Sequence, residues 1–250
     1  MTDAPIDPLV IIELTNLKAA GKLRELAKHP GLSMKPEWIG ELAADKSWLV
    51  RRYLAENPAI ASSPEVIQTL AADKDPDVRS WLAQNPAITN YPEAIQALAT
   101  DKSWLVRRYL AENPAIASSP EVIQTLAADK DRSESVRRAL AQNPAIASSP
   151  EVIQTLATDE DWVVRRYLAE NPAIASSPEV IQTLAADKDP DVRSWLAQNP
   201  ALASFPEIIT KLSKDRSKNV RESLASNLSV HAASTNSWQV AQPVTQAPTI

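Results

Sequence analysis

The chain has 250 residues, with 31 acidic and 26 basic side chains, two histidines and no cysteine. The absence of cysteine excludes disulfides, thiolate metal sites, iron–sulfur clusters and cysteine nucleophiles. The formal net charge of −5 gives the whole protein no attraction for phosphate. A hydrophobic content of 44% provides enough apolar side chains for a continuous core.

The N-terminal segment carries no targeting pattern. The opening Met-Thr-Asp-Ala-Pro is not a basic region ahead of an apolar run, and the apolar stretch at residues 9–12 is too short to span a bilayer. We therefore expect a soluble, cytoplasmic protein with no membrane partner.

Residues 1–44 are predicted to form an N-terminal helical cap. Asp7-Pro8 is a favourable start for a helix that runs to about Lys28. His29-Pro30 then begins an incomplete copy of the repeat that follows, with Leu32 as its apolar linker residue. Solenoids need such a cap to shield their first open face.

A motif of the form Leu-Ala-x-Asn recurs seven times in the next part of the chain. The period is 28 residues, except for one step of 30 that places a two-residue insertion at about residues 131–135. A fixed period of this length is typical of stacked repeats. Residues 45–228 are therefore predicted to form seven repeats, whose asparagines are Asn57, Asn85, Asn113, Asn143, Asn171, Asn199 and Asn227.

Each repeat is predicted to contain two short helices. The first covers about residues 47–56 in the first repeat and ends at Asn57-Pro58, because a residue before proline is pushed out of the α region. The second starts at Ser63-Pro64, where the serine is expected to cap the free amides. Ile60 is an apolar residue between the two helices, and the other repeats have isoleucine or leucine there.

The conserved spacing within the repeats resembles a known family. Asp-x-x-x-x-Val-Arg-x-x-Leu-Ala-x-Asn-Pro, followed by Pro-Glu-Val-Ile-x-x-Leu-Ala, is similar to the leucine-rich repeat variant and, more broadly, to HEAT-like repeats. The fold expected from this resemblance is all-α. It is a right-handed α-solenoid of about seven 28-residue, two-helix repeats behind the N-terminal cap. Repeats of this family serve many roles, so the resemblance implies no single function.

Three polar residue types recur at fixed positions in the repeats, and we call each set of equivalent residues a column. We take the valine of each Val-Arg pair, Val50 in the first repeat, as the reference position. On a helical wheel the arginine after this valine points to the packed side, so its charge requires a partner. The recurrent aspartate is the natural partner in a ladder along the array, and a row of arginines for phosphates is the alternative. The asparagine is expected to bond the backbone groups that the helix break leaves free. These columns comprise Asp45, Arg51, Asn57, Asp73, Arg79, Asn85, Asp101, Arg107, Asn113, Arg137, Asn143, Asp159, Arg165, Asn171, Asp187, Arg193 and Asn199.

Other columns vary from repeat to repeat. The residues two before and two after the valine are i, i+4 neighbours that change together, as Trp48/Arg52, Trp104/Arg108 and Trp162/Arg166, or as pairs of opposite charge. Such a tryptophan and arginine form either a local stacking pair or an exposed binding face. The third position after the valine carries Tyr53, Trp81, Tyr109, Tyr167 and Trp195, interrupted by Ala139. These rings either bind a partner or fill gaps between helices.

No catalytic constellation emerges from the residues. The repeats contain no histidine to activate a serine, no glycine-rich phosphate loop and no metal-ligand spacing, so neither enzymatic activity, nor a metal, nor a cofactor is predicted.

The leading hypothesis for function is a scaffold that binds a protein or peptide through the varying columns. One alternative is a nucleic-acid-binding surface like that of HEAT-like alkylation-repair glycosylases, which use tryptophan, arginine and aspartate. Another is a structural array that associates through its C-terminal end. Residues 229–250 are predicted to be a flexible tail, in which Trp238 is a candidate for docking on a neighbouring groove.

Overall fold

The computed structural model describes residues 7–130 and 134–228, and every regular element in these two ranges is helical. Contacts divide the chain into two compact units, Met1–Val152 and Ile153–Ile250. No helix within the described ranges has both the length and the apolar character needed to cross a membrane.

The N-terminal cap begins with two helices instead of the one predicted. The first is Pro8–Ala19, and the carboxylate of Asp7 accepts a hydrogen bond from the Leu9 amide as expected. It does not continue to Lys28, because Gly21 takes a left-handed conformation (φ 68°) and the Gly21 and Lys22 amides bond back to Lys18 and Leu17. This is a Schellman termination, which glycine permits without steric cost. The second helix is Leu23–Lys28, followed by a 3-10 helix at Pro30–Met34 and an α-helix at Pro36–Ala43.

A glycine allows the first helix to pack on the 3-10 helix Pro30–Met34. Gly31 occupies the position that alanine holds in the repeats, for example Ala59. A methyl group at Gly31 would overlap the Val10 side chain from the first helix. The residue therefore marks the place where that helix lies directly on the 3-10 segment.

Each repeat up to residue 212 contains three helical elements: a first α-helix, a 3-10 helix and a second α-helix. Only the first helix of the last repeat lies within the described residues. In the first unit the first helices are Trp48–Glu56, Pro76–Gln84, Trp104–Glu112 and Ser135–Gln142. The 3-10 helices are Pro58–Ser62, Pro86–Asn90, Pro114–Ser118 and Pro144–Ser148. The second helices are Pro64–Ala71, Pro92–Ala99, Pro120–Ala127 and Pro150–Ala157, the last of which contains the boundary between the units.

The second unit repeats the same order. Its first helices are Trp162–Glu170, Pro190–Gln198 and residues 218–228. Its 3-10 helices are Pro172–Ser176 and Pro200–Ser204, and its second helices are Pro178–Leu184 and Pro206–Leu212.

The 3-10 helix follows from the chemistry of Asn57 and Pro58. The Asn57 side chain accepts a hydrogen bond from the Ala59 amide at 2.9 Å, and Pro58 at the first position has no amide to satisfy. Ile60 in the middle of this segment is fully buried. A linker residue thus becomes part of the core.

The predicted serine cap of the second helix is wrong. Ser63, Ser119 and Ser177 make no side-chain capping bond. Each ends the preceding 3-10 helix, and Ser63 has φ −124° and ψ 78°, outside the extended conformation of a capping residue.

Helices pack in tandem within each unit, as in an α-solenoid. In the first unit, first helices pack on first helices, second on second, and 3-10 segments on 3-10 segments; Trp162–Glu170 packs on Pro190–Gln198 in the second. The core consists of repeat side chains such as Val78, Leu82, Ile88, Ile95 and Leu98, all fully buried. Short helices of this kind gain their stability from such neighbours.

Candidate binding surface and its framework

The repeat arginine joins neighbouring repeats. Nε and Nη2 of Arg51 donate to both carboxylate oxygens of Asp73, at 2.5 and 3.0 Å. Nη1 of Arg51 donates to the main-chain carbonyl of Asp45, at 2.7 Å. The arginine therefore bonds the loop that begins its own helix and the aspartate of the next repeat.

The same bidentate contact recurs in both units. The first unit contains Arg79 with Asp101 and Arg107 with Asp129, and the second contains Arg165 with Asp187 and Arg193 with Asp215. Arg137, after the insertion, donates to the Asp129 carbonyl at 2.7 Å, and the Asp159 carboxylate accepts the Asp161 amide.

Most of these ion pairs are almost inaccessible to solvent. The Arg51 and Asp73 side chains are 6% and 5% exposed. Burial raises the pKa of Asp73, but the hydrogen bonds from Arg51 and from the Asp75 amide outweigh burial and hold that pKa below its ordinary value. The hydrogen bond from Arg193 likewise lowers the pKa of Asp215. Both aspartates are therefore held in the charged form.

The asparagine column forms a second ladder. Nδ2 of Asn85 donates to the carbonyls of Ala55 and Asn57 in the preceding repeat, at 2.7 and 3.2 Å. Its Oδ1 accepts the Ala87 amide at 2.9 Å. Asn57, Asn113, Asn143, Asn199 and Asn227 make the corresponding bonds to the repeat before them. Asn171 accepts the Ala173 amide in the same way.

Both framework columns use their polar atoms inside the protein. Arg51, Arg79, Arg165 and Arg193 are each 5% exposed, and the asparagines from Asn57 to Asn199 are buried. Side chains in this state offer little to an external phosphate or peptide. Contact with a ligand must therefore come from other columns.

The rings of this column are half-buried, and two arginines, Arg52 and Arg166, each lie within reach of two of them. In the first unit the guanidinium of Arg52 lies 5.1 Å from the ring centroid of Tyr53 and 4.3 Å from that of Trp81. Both distances are within the range of cation–π attraction. Within each unit we call these residues the ring face. It comprises Tyr53, Trp81 and Tyr109 with Arg52 and Arg108 in the first unit, and Tyr167 and Trp195 with Arg166 in the second.

The second unit contains the same arrangement. Arg166 lies 4.5 Å from the Tyr167 centroid and 5.0 Å from the Trp195 centroid. Its Nε is buried and has no hydrogen-bond partner among the described residues. The two rings therefore hold this guanidinium without a bond at Nε.

Where the next ring is missing, the arginine changes partner. Arg108 lies 5.5 Å from the Tyr109 centroid, but the next repeat of the first unit has Ala139 in the ring column. Arg108 instead forms an ion pair with Glu112 in its own helix, at 3.0 Å. The stack thus depends on the residue type in the following repeat.

The local tryptophan–arginine stacking pair is not what the structure contains. Arg52 contacts Trp81 of the next repeat instead of stacking on Trp48. Trp48, Trp104 and Trp162 are instead exposed, at 40%, 40% and 38%. The oppositely charged pairs at the same positions are present, as Arg138 with Glu134 and Lys218 with Glu222.

Lys28 extends the ring face into the cap, which the sequence analysis missed. Its Nζ lies 3.7 Å from the Tyr53 centroid, so Tyr53 has a cation from the cap and another from its own helix. A groove of about 490 Å³ opens here, lined by Lys28, Pro30, Arg52, Tyr53, Glu56, Asn57 and Pro58. The sequence does distinguish this position, because it carries a lysine where the equivalent residue in the repeats is mostly glutamate or glutamine.

Other predictions lie outside this surface. Residues 229–250, with Trp238, and residues 131–133 of the insertion lie outside the described residues. Within the described ranges, no group of three or more histidine, aspartate or glutamate side chains is arranged to hold a metal ion.

Comparison with protein-family models and with curated proteins gave no match to this chain. The function must therefore be argued from the ring face itself.

Proposed function

We propose that this chain is a non-enzymatic repeat scaffold that binds a protein or peptide partner on its ring face. One observation carries the proposal: half-exposed rings lie on the first helices, with Arg52 and Arg166 each in contact with two of them, while the arginines and asparagines that recur in every repeat bond inside the protein. The residues that differ between repeats are therefore the ones that remain for contact with a partner.

Rings at half-buried positions suit recognition. Tyrosine and tryptophan offer a large apolar area with few rotatable bonds and a polar atom for hydrogen bonding, which makes them frequent anchors in interfaces. The exposed Trp48, Trp104 and Trp162 extend the available area beside Arg52, Arg108 and Arg166. The groove at Tyr53 supplies a concave starting point for a peptide side chain.

A displayed library of random peptides tests the proposal. Peptides selected on the wild-type chain are compared for binding to a variant with Tyr53, Tyr109 and Tyr167 changed to Ala. A matched variant changes Gln68, Gln124 and Gln182 to Ala, since these side chains are exposed on second helices. We expect binding to be lost in the tyrosine variant only. Equal loss in both variants, or in neither with the fold intact, would refute the proposal.

Nucleic-acid binding is the second candidate, because rings beside cations also hold single-stranded bases and phosphates. The net charge of −5 disfavours it. A gel-shift titration with single-stranded DNA and RNA at two salt concentrations separates the two. Tight binding that weakens steeply with salt would favour nucleic acid over a peptide.

The finer points of architecture belong to the same proposal. We infer membership of the leucine-rich repeat variant or HEAT-like class, seven repeats, a right-handed superhelix and a cytoplasmic, soluble protein. Association through the C-terminal end is the third candidate, supported by the exposed Leu228 in the helix at 218–228. Sedimentation at several concentrations tests it, and a monomer throughout would exclude it.

A further inference from the structure

The groove beside Tyr53 is lined by two cations that no carboxylate neutralises. Nζ of Lys28 lies 3.7 Å from the Tyr53 ring centroid, and the guanidinium of Arg52 lies 5.1 Å from it. Within the described ranges, neither cation forms an ion pair or donates a hydrogen bond. Glu56 also lines the groove, one turn after Arg52 on the same helix, but the two side chains do not pair.

We propose that this groove binds the carboxylate of a glutamate or aspartate side chain from a peptide partner. The inference rests on the proposed function and names the chemistry that one part of the ring face recognises.

The space for this carboxylate is open to solvent. The groove has a volume of about 490 Å³. Lys28, Glu56 and Pro58 along it are exposed, and Arg52 and Tyr53 are half-buried. The apolar ring of Pro58 offers contact for the aliphatic part of an acidic side chain, as in other sites that combine apolar walls with a few polar groups.

The aromatic rings hold the two cations without using their donors. The guanidinium of Arg52 lies 4.3 Å from the Trp81 centroid as well as near Tyr53. A guanidinium that stacks on rings keeps its N–H groups in its own plane, where they can donate to a carboxylate. The ammonium of Lys28 has three N–H donors, and hydrogen bonds between charged groups are the strong ones.

The charge of the groove matches a single carboxylate. Lys28 and Arg52 contribute two positive charges and Glu56 one negative charge, so the lining has a net charge of +1. One carboxylate neutralises this charge. A phosphate group brings about −1.5 to −2, and the excess would be repelled by Glu56.

The equivalent place beside Tyr109 shows the pairing that the groove lacks. Arg108 lies 5.5 Å from the Tyr109 centroid and forms an ion pair with Glu112 at 3.0 Å. An arginine at this position therefore accepts a glutamate carboxylate as its partner. The residue equivalent to Lys28 is Gln84 here, so this place has one cation, already paired.

An NMR titration of the full chain tests the site. The probe is the capped tripeptide Gly-Glu-Gly, and the control ligand is capped Gly-Gln-Gly, which keeps the shape without the charge. We expect the glutamate peptide to shift the Lys28 amide and Tyr53 ring signals in a saturable manner. The glutamine peptide should bind at least about tenfold more weakly, because it cannot form charge-assisted hydrogen bonds.

Variants at exposed or half-buried positions separate the site from a general effect of charge. Lys28→Gln, which copies Gln84, and Arg52→Ser should each weaken binding of the glutamate peptide at least about tenfold. Arg108→Ser removes the same charge from the paired position beside Tyr109 and should leave binding unchanged. Glu56→Gln should strengthen binding, because it removes the one carboxylate that lines the groove.

Four results would overturn the proposal. They are equal shifts with both peptides, no saturable shift with either, binding to Lys28→Gln as tight as to wild type, and tighter binding of a capped Gly-phosphoserine-Gly peptide than of Gly-Glu-Gly.

The same variants distinguish this inference from the proposed function. If peptides selected on the ring face bind wild type and Lys28→Gln equally but fail on the triple tyrosine variant, the scaffold stands and the carboxylate site is wrong. If the glutamate peptide binds but the library yields no ring-face ligand, the site stands and the broader function fails.

Discussion

At the scale of single residues, a buried arginine such as Arg79 holds two repeats together. Arg79 bonds both oxygens of Asp101 and the main-chain carbonyl of Asp73. Changing Arg79 to Ala would leave a buried carboxylate without its partner, which costs about 3–5 kcal/mol. We expect that loss in the free energy of unfolding, measured with urea.

An exposed ion pair in the same protein provides the comparison. Lys218 and Glu222 are 77% and 60% exposed at 3.0 Å, so Lys218→Ala should cost less than about 1 kcal/mol. Equal losses for Arg79→Ala and Lys218→Ala would contradict a structural role for the arginine column.

The asparagine column requires an amide, because a carboxylate has no N–H group to donate to the carbonyls of the preceding repeat. Nδ2 of Asn113 donates to the Ala83 and Asn85 carbonyls. Asn113→Asp places an acceptor opposite two acceptors, and we expect a loss of about 3 kcal/mol at neutral pH. Asn227→Asp, half-buried at the end of the described chain, should lose less. A neutral effect of Asn113→Asp on the urea midpoint would refute the ladder as a source of stability.

Stability should fall in acid because of the buried aspartates. Asp73 and Asp215 have a lower pKa in the folded protein than in the unfolded chain, so the unfolded chain binds more protons in acid. Their contribution is present above the unfolded pKa of about 3.9 and is lost as the pH falls through the lower folded pKa. Urea midpoints measured across this range should fall in that direction. A midpoint that rises on acidification would be the contrary result.

The sequence predicted part of this framework and missed the rest for a physical reason. A helical wheel places Arg51 toward the packed side and demands a partner, which the sequence alone can establish. The carboxylate that bonds it belongs to the next repeat, at Asp73, so the contact depends on how helices stack. Intrahelical periodicity does not contain that information.

At the scale of elements, a missing methyl group lets the first helix pack on the 3-10 helix Pro30–Met34 within the N-terminal region. Gly31 faces Val10, where the repeats have alanine. Gly31→Ala should destabilise the packing of Pro8–Ala19. Amide exchange should therefore accelerate more in that helix than in Trp104–Glu112. Adding Val10→Ala should restore protection, because it removes the overlapping side chain. Unchanged exchange in Gly31→Ala would refute the close contact.

Some elements can be predicted from sequence patterns, whereas others depend on the chemistry of a turn. The first and second helices follow from apolar spacing and from proline at the start of a helix. The 3-10 helices do not, because Pro58–Ser62 has only five residues and depends on a side-chain bond from Asn57. The break at Gly21 was likewise hidden, since one glycine does not reveal whether it will adopt a positive φ.

At the scale of the whole molecule, residues that recur in every repeat and residues that differ between repeats have different roles. The invariant Arg51 and Asn57 columns bond one repeat to the next within each unit. The sequence singles out the ring column, but it does not predict a guanidinium in contact with two rings, because the second ring belongs to another repeat. The division between framework and surface therefore becomes visible only when neighbouring repeats are considered together.

In the function proposed for this chain, the rings serve binding more than folding. The most direct test measures the urea unfolding of the Tyr53, Tyr109 and Tyr167 to Ala variant together with its affinity for peptides selected on wild type. We predict a cooperative, folded variant that has lost at least about tenfold in affinity, since interface anchors are worth more than about 1.4 kcal/mol. A variant that binds as wild type does, or that no longer unfolds cooperatively, would contradict the claim.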